Sequence, residues 1–360
     1  MDLFDPGRRV PLSALRRYYP GFFGALFLIV LRTAIGWHFL YEGTLKILST
    51  PEGKASVLAR IFPVPEGPVF TSEPYLRASS GPMAHIFRGM IPDVDSRDKL
   101  NPDKMKERWK GIEDRVVKHY GFDASQIQKA DTIVKDRSKV ADEWFESLEN
   151  RERIRKYFDE LAEVEAIERN PNAMSYELEN AIKDRKTAEA DRKDLVKEVD
   201  PWTETLRDSL VALANPDQTK EAGKYEAPWT QMDWLDRSTM WGLTSIGFCL
   251  LLGLFTPAAA LGGATYLLSF YLSMPPWPGL PEGITEGHYR YVNKNLVELI
   301  ALLALAATPN GLWIGLDSLL FGWIGRNDAR READRIADLE RKAAQEDRPQ
   351  PQDRRKFKNR

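Results

Sequence analysis

Apolar residues are bunched into a few long runs of an otherwise charged chain, and this distribution constrains the fold more tightly than any average does. The first run, GFFGALFLIVLRTAIGWHFLY from Gly21 to Tyr41, holds only Arg32 and His38 as ionisable groups. As a helix it spans about 30 Å, enough to cross a bilayer core. It is too long for a cleaved signal peptide and no small-x-small site follows it, so it reads as a retained signal anchor. The second block, Met240 to Met274, is too long for one crossing. Gly253 and Thr256-Pro257 near its middle divide it into spans of about 237–255 and 258–274. A fourth span runs from Tyr291 to about Thr308 and is broken by Pro309-Asn310-Gly311; the apolar stretch Leu312 to Ile324 is too short to cross and reads as interfacial or re-entrant.

Four spans place both termini on one side. Arg8, Arg9, Arg16 and Arg17 precede the first span and Arg326, Arg330 and Arg331 follow the last, which marks that side as cytoplasmic. The expected division is a cytoplasmic N-terminus with the first helix (1–50), an outside insertion (51–236, periplasmic in a bacterium), three further spans with the interfacial helix (237–325), and a charged cytoplasmic tail (326–360). The tail ends basic at Arg354-Arg355-Lys356, a composition suited to lie along anionic lipid. The expected fold class is therefore an all-α membrane protein: a four-transmembrane-helix antiparallel bundle with a large, mostly helical periplasmic insertion between helices one and two.

Within the insertion, residues 51–100 are rich in Pro and Gly and read as irregular structure with short helices. Asn101-Pro102 opens a helix that stops near His119 before Gly121. Asp123 opens a long charged helix to about Arg169, stopped by Asn170-Pro171; further helices fit 174–199 and 201–214, parted at Pro201. The apolar stripe of the long helices is thin, so 123–199 is expected to form an antiparallel hairpin, coiled-coil-like, packed on a neighbour or projecting into solvent. Its charges read as solvated surface or as a docking arm for a partner protein.

The net charge of -2 argues against a nucleic-acid binder, which needs a basic excess. The single Cys249 excludes an internal disulfide, and four histidines leave little for a metal site, so none is expected. Ionisable groups inside a membrane are costly and therefore candidates for function. Arg32, His38, Glu42 and Lys46 fall at about 0°, 240°, 280° and 320° around the first helix, one third of its circumference, with Gly36 and Gly43 beside them. Small residues at this spacing admit a close neighbour. Lys294 and Glu298 share one face of the fourth span. Counted from Gly21 and from Tyr291, Arg32 and Glu298 come to nearly the same depth and are expected to pair. These charges either fix helices together or line an outward-opening pocket that binds a quinone head group and moves protons. In the second case His38 and Glu42 form the proton-handling, catalytic pair; Arg32, Lys46, Lys294 and Glu298 line the site, with His288 at its mouth. A small-solute path is a third reading, with no internal repeat to favour it.

Three stretches, LRTAIGWHFLYEGTLKI (31–47), IGFCLLLGLFTPAAALGGA (246–264) and GHYRYVNKNLVELIALLALAATPNGLWIGLD (287–317), carry a family likeness. Their motifs are Arg32, Gly36, Gly43 and Lys46 in the first helix, the Gly253–Thr256 turn, and Pro309-Asn310-Gly311 followed by Leu316-Asp317. With these the chain resembles the DoxX/DoxD family of four-helix membrane proteins over its membrane part. It departs from the family in Pro257, where many relatives carry Arg, and in the long insertion. The resemblance implies a bacterial inner-membrane protein linked to quinones or redox complexes, similar to DoxD-type subunits of thiosulfate:quinone oxidoreductase. Other members resemble tethers for soluble redox enzymes, which makes a non-catalytic scaffold the alternative.

Overall fold

The computed structural model describes residues 20–280 and 289–321. Those residues are all-helical and contain no strand beyond an isolated bridge between Tyr289 and Val292. The longer helices are α1 (Phe22–Leu48), α2 (Pro102–Tyr120), α3 (Ala124–Glu146), α4 (Leu148–Arg169), α5 (Ser175–Val211), α6 (Gln231–Leu252), α7 (Thr256–Ser273) and α8 (Lys294–Ala306). The chain divides into two compact units. Among the described residues, one comprises 20–70, 237–271 and 294–321; the other comprises 71–236, 272–280 and 289–293.

In the second unit the helix ends follow local chemistry. The Asn101 side chain accepts from the backbone N–H groups of Asp103 and Lys104, Pro102 occupies the first helical turn of α2, and Gly121 closes it in the left-handed region. Asp123 and Gln126 form a reciprocal capping box at the start of α3. Two expectations are corrected. The helix expected over 123–169 is two helices. Ser147 leaves the helical region (φ -57, ψ 137) and its hydroxyl accepts from Asn150 N–H to start α4. Conversely, the break expected at Pro201 does not occur, and α5 runs through it to Val211. Proline forfeits one backbone donor, but Leu195 and Val199 before it and Leu206 and Leu210 after it are all buried, so packing carries the helix across.

The thin stripes also build more than expected. Pooled from α2, α3, α4 and α5 they form one core around Trp109, Val116, Tyr157, Leu195, Leu206 and Leu210. The buried Trp109 satisfies its indole N–H on Thr203 Oγ1 at 2.9 Å. The antiparallel hairpin consists of α4 and α5, turning at 170–174.

Hydrogen bonds from buried side chains of α4 and α5 tie the irregular segment 71–100 to this core. Arg192 holds Glu189 at 2.7 Å and Ser96 Oγ at 2.9 Å; Arg77 pairs with Glu73 and donates to the Val94 carbonyl; Tyr157 Oη donates to the Asp95 carbonyl at 2.9 Å. Burial, then the neighbouring Glu165, pushes the Asp95 carboxyl above the usual aspartate range. A raised acid favours the folded state fully below its unfolded pKa, and that contribution is lost as pH rises through the folded value. Asp95→Asn should therefore melt higher than the parent at neutral pH, with the difference shrinking as pH falls toward about 4, the ordinary aspartate value. Calorimetry of the full chain across that range checks it, and a pH-independent difference would refute it.

In the first unit α1, α6, α7 and α8 share a core that includes Phe39, Leu243, Leu250, Leu267, Leu302 and Leu305. By length and composition one helix among the described residues, α1, is long and apolar enough to cross a membrane. Its outward side chains Phe22, Phe23 and Phe27 are exposed. The helix expected to start at Tyr291 starts instead at Lys294, because Arg290 and Tyr291 occupy positive φ (33° and 64°) in a turn. The 13 residues of α8 rise only about 20 Å.

Small residues bring α1 and α6 together. A Cβ on Gly36 would lie 2.9 Å from Leu251 N, one on Gly43 would overlap Thr244, and one on Gly247 would overlap Leu40 and the Gly36 carbonyl. The neighbour expected beside Gly36 and Gly43 is thus α6. Gly247→Val should destabilise the protein by about 1–3 kcal/mol through overpacking. Thermal unfolding measures this, and an unchanged midpoint would contradict the close approach.

Candidate functional site

Two polar clusters lie on α1, one nearer each end. Towards its C-terminal end, His38 stands between two side chains of α8. Its Nδ1 is 3.1 Å from Glu298 Oε2 and its Nε2 is 3.1 Å from Lys294 Nζ. An ionised carboxylate only accepts and an ammonium only donates. The network therefore assigns a neutral imidazole that donates from Nδ1 to Glu298 and accepts at Nε2 from Lys294. Lys294 and Glu298 both reach His38 because they are four residues apart in the first turns of α8. One turn beyond His38, Glu42 is bound by Lys46 at 2.8 Å, and the Lys46 ammonium also lies 5.2 Å from the centre of the Phe70 ring. The His38 and Glu298 side chains are 32% and 20% exposed, so the row is only partly buried while holding fixed partners.

The other cluster is closed. Arg32, 2% exposed, donates from Nη1 to the Asn310 carbonyl at 3.1 Å and Oδ1 at 3.3 Å, and from Nη2 to the Ile314 carbonyl at 2.8 Å. Asn310 Nδ2 in turn donates to the Leu305 carbonyl at 2.9 Å, just before α8 ends. Asp317 caps α7, accepting from Phe255 N–H at 2.6 Å and Thr256 N–H at 2.9 Å. Its own backbone N–H donates to the Gly253 carbonyl at 2.8 Å, and Leu316 N–H donates to the Leu252 carbonyl at 3.0 Å, so the same segment finishes α6. Gly253 takes a positive φ of 63° there, and a Cβ on it would lie 2.8 Å from both Arg32 Nη1 and Gly315 Cα. The stretch expected as one interfacial helix over 312–324 is, as far as residue 321, two single-turn helices, Asn310–Trp313 and Asp317–Leu320, folded onto the α6–α7 turn.

The structure thus gathers His38, Lys294 and Glu298, sets the Glu42–Lys46 pair beside them, and holds Arg32 apart. The pairing expected between Arg32 and Glu298 is not made. Depth was counted from Tyr291, but α8 begins three residues later, which leaves Glu298 only about 6 Å into the helix and level with His38. Likewise the carboxylate on His38 is Glu298, whereas Glu42 is taken by Lys46. His288 lies outside the described residues. Sequence reasoning missed the capping role of Asp317 and the bracing role of Asn310; the only signal for either was the Pro-Asn-Gly break and the Asp that follows it. Among the described residues no group of three or more His, Cys, Asp or Glu could hold a metal ion. No family model, curated protein or solved structure matches the chain.

Proposed function

We propose that the chain is a DoxX-like subunit of a redox complex in a bacterial inner membrane, binding a quinone head group at the Lys294–His38–Glu298 row. In this reading α1, α6, α7 and α8 are the four membrane helices, both termini are cytoplasmic, and residues 51–236 lie in the periplasm. The row itself is the observation that carries the proposal. Ionisable side chains in series on apolar helices are expensive, and a ligand-linked proton path is a use that offsets the cost. The donor set suits a quinone: the Lys294 ammonium can donate to a carbonyl oxygen, and the row is only partly buried. A bound quinone supplies the electron-accepting chemistry. The residues supply the proton path: Lys294 Nζ gives a proton to the quinone oxygen as it is reduced, and Glu298 and His38 are the route by which that proton is replaced from solvent. Solvent extraction of protein purified in mild detergent should release a quinone in stoichiometric amount, and its absence from freshly isolated membrane-extracted protein would refute the assignment. A reporter fused after Arg360 that is active only in the periplasm would overturn the topology.

A scaffold that docks partner proteins is the second reading. It is favoured by exposed apolar residues where the hairpin turns: Met174, Tyr176 and Leu178. Stoichiometric partners recovered without quinone would select it.

A further inference from the structure

The stretch after α1 doubles back on the helix it leaves. Thr50 caps the single turn Pro51–Lys54, a 3-10 turn follows over Val57–Arg60, and the Phe62 ring then stacks on Trp37 with centroids 6.0 Å apart and lies 6.2 Å from Tyr41. Trp37 precedes the end of α1 by 11 residues, so the chain has returned about 16 Å along the helix. It climbs again to Phe70, whose N–H donates to Ser49 Oγ at 2.8 Å and whose ring lies beneath the Lys46 ammonium. Both ends of the loop are thus tied at the top of α1 and its tip is anchored on two aromatic rings lower down. Residues 51–70 group with α1 in the first compact unit.

This loop exposes aliphatic side chains between its exposed charges Glu52, Lys54, Arg60 and Glu66. Val57 and Ile61 are 69% and 70% exposed, and Val64 and Val69 are also exposed. Four aliphatic side chains displayed on one short loop are unusual for a surface that meets only water. The level of the loop names what covers them. The 27 residues of α1 extend about 40 Å against a hydrocarbon core of about 30 Å. Counted from Phe22, the core ends near Tyr41, where Trp37 and Tyr41 form the aromatic pair expected at an interface. Irregular backbone is excluded from the hydrocarbon core but tolerated at the headgroup level, and an apolar face lying in that plane gains by burial.

We infer that residues 51–70 form a membrane-surface loop whose Val57, Ile61 and Val64 side chains enter the outer leaflet at the boundary between headgroups and acyl chains. The inference rests on the membrane reading of α1, and it removes this stretch from the periplasmic insertion to which the sequence assigned it.

The test uses the full chain with Cys249→Ala, reconstituted in phosphatidylcholine vesicles and labelled with a fluorophore at one cysteine at a time. Val57→Cys, Ile61→Cys and Val64→Cys probe the loop, Phe27→Cys marks the span, and Val140→Cys marks the insertion. All five parent side chains are exposed, so the labels displace no packing. Lipids brominated at shallow acyl positions should quench the three loop labels several-fold more than the Val140→Cys label, and deep bromines should quench the Phe27→Cys label most. Loop labels as unquenched as the Val140→Cys label, with the Phe27→Cys label quenched, would overturn the loop and leave the span standing. A Phe27→Cys label untouched by deep bromines would overturn the membrane reading and the loop with it.

Discussion

Asp317→Ala should lower the stability of the protein by about 2–6 kcal/mol, at about 1–3 kcal/mol for each of the two helix-start N–H groups left unsatisfied. Asp317 is 3% exposed, carries both helix-start donors of α7, and is the acidic group that acts on the buried Arg32 guanidinium. Its loss leaves two backbone N–H groups unpaired, while Arg32 keeps its acceptors on Asn310 and Ile314 and loses only a neighbouring carboxylate. Asp317→Asn keeps one acceptor and should lie between the two. Because Arg32 and Asp317 brace the same turn, Arg32→Met combined with Asp317→Ala should cost less than the sum of the single changes. Denaturant or thermal unfolding in detergent reads all four proteins. Strict additivity would show that the two residues stabilise independent features.

In the proposed quinone reading, quinone content should respond to a different set. Lys294→Met removes the donor to the ligand and leaves His38 Nε2 unpaired; His38→Leu interrupts the row between Lys294 and Glu298. A hydrogen bond to a charged group contributes about 1.5–3 kcal/mol, so each change should weaken retention roughly 10- to 100-fold. Glu298→Gln keeps an acceptor for His38 Nδ1 but removes its proton-accepting charge, so binding should survive while proton-coupled reduction slows. Titration of added quinone against each variant, with unfolding midpoints measured in parallel, separates the effects. Equal loss of stability in all three with unaltered quinone binding would make the row a structural brace.

Local rules carried much of this structure. The Asn101 cap, the Gly121 stop, the Asp123–Gln126 box and the Asn170-Pro171 break are each written in neighbouring residues, and the structure has them there. The close approach allowed by Gly36 and Gly43 was legible in the same way. The misses come from non-local forces. Ser147 interrupts a run with no Pro or Gly to announce it, and Pro201 fails to interrupt one because the buried leucines on both sides hold the helix together. At the site, the residue types were legible and their partners were not. His38, Lys294 and Glu298 stand out as charges on apolar helices, but which of them meet depends on where α8 begins. That start is set by positive φ at Arg290 and Tyr291, which no periodicity reports. Asp317 was visible only as part of a recurring pattern, since the N–H groups it caps lie 61 and 62 positions away.

The brace on Arg32 also sets a timetable for biogenesis. Its acceptor Asn310 is 278 positions further along the chain. At a synthesis rate of about 5–20 residues per second, the two are separated by roughly 14–56 s. Throughout that interval the first helix holds an arginine whose permanent partners have not left the ribosome, and the intervening insertion lengthens the wait. A chain cut short before Asn310 never acquires them, so truncation anywhere upstream leaves that arginine without its acceptors.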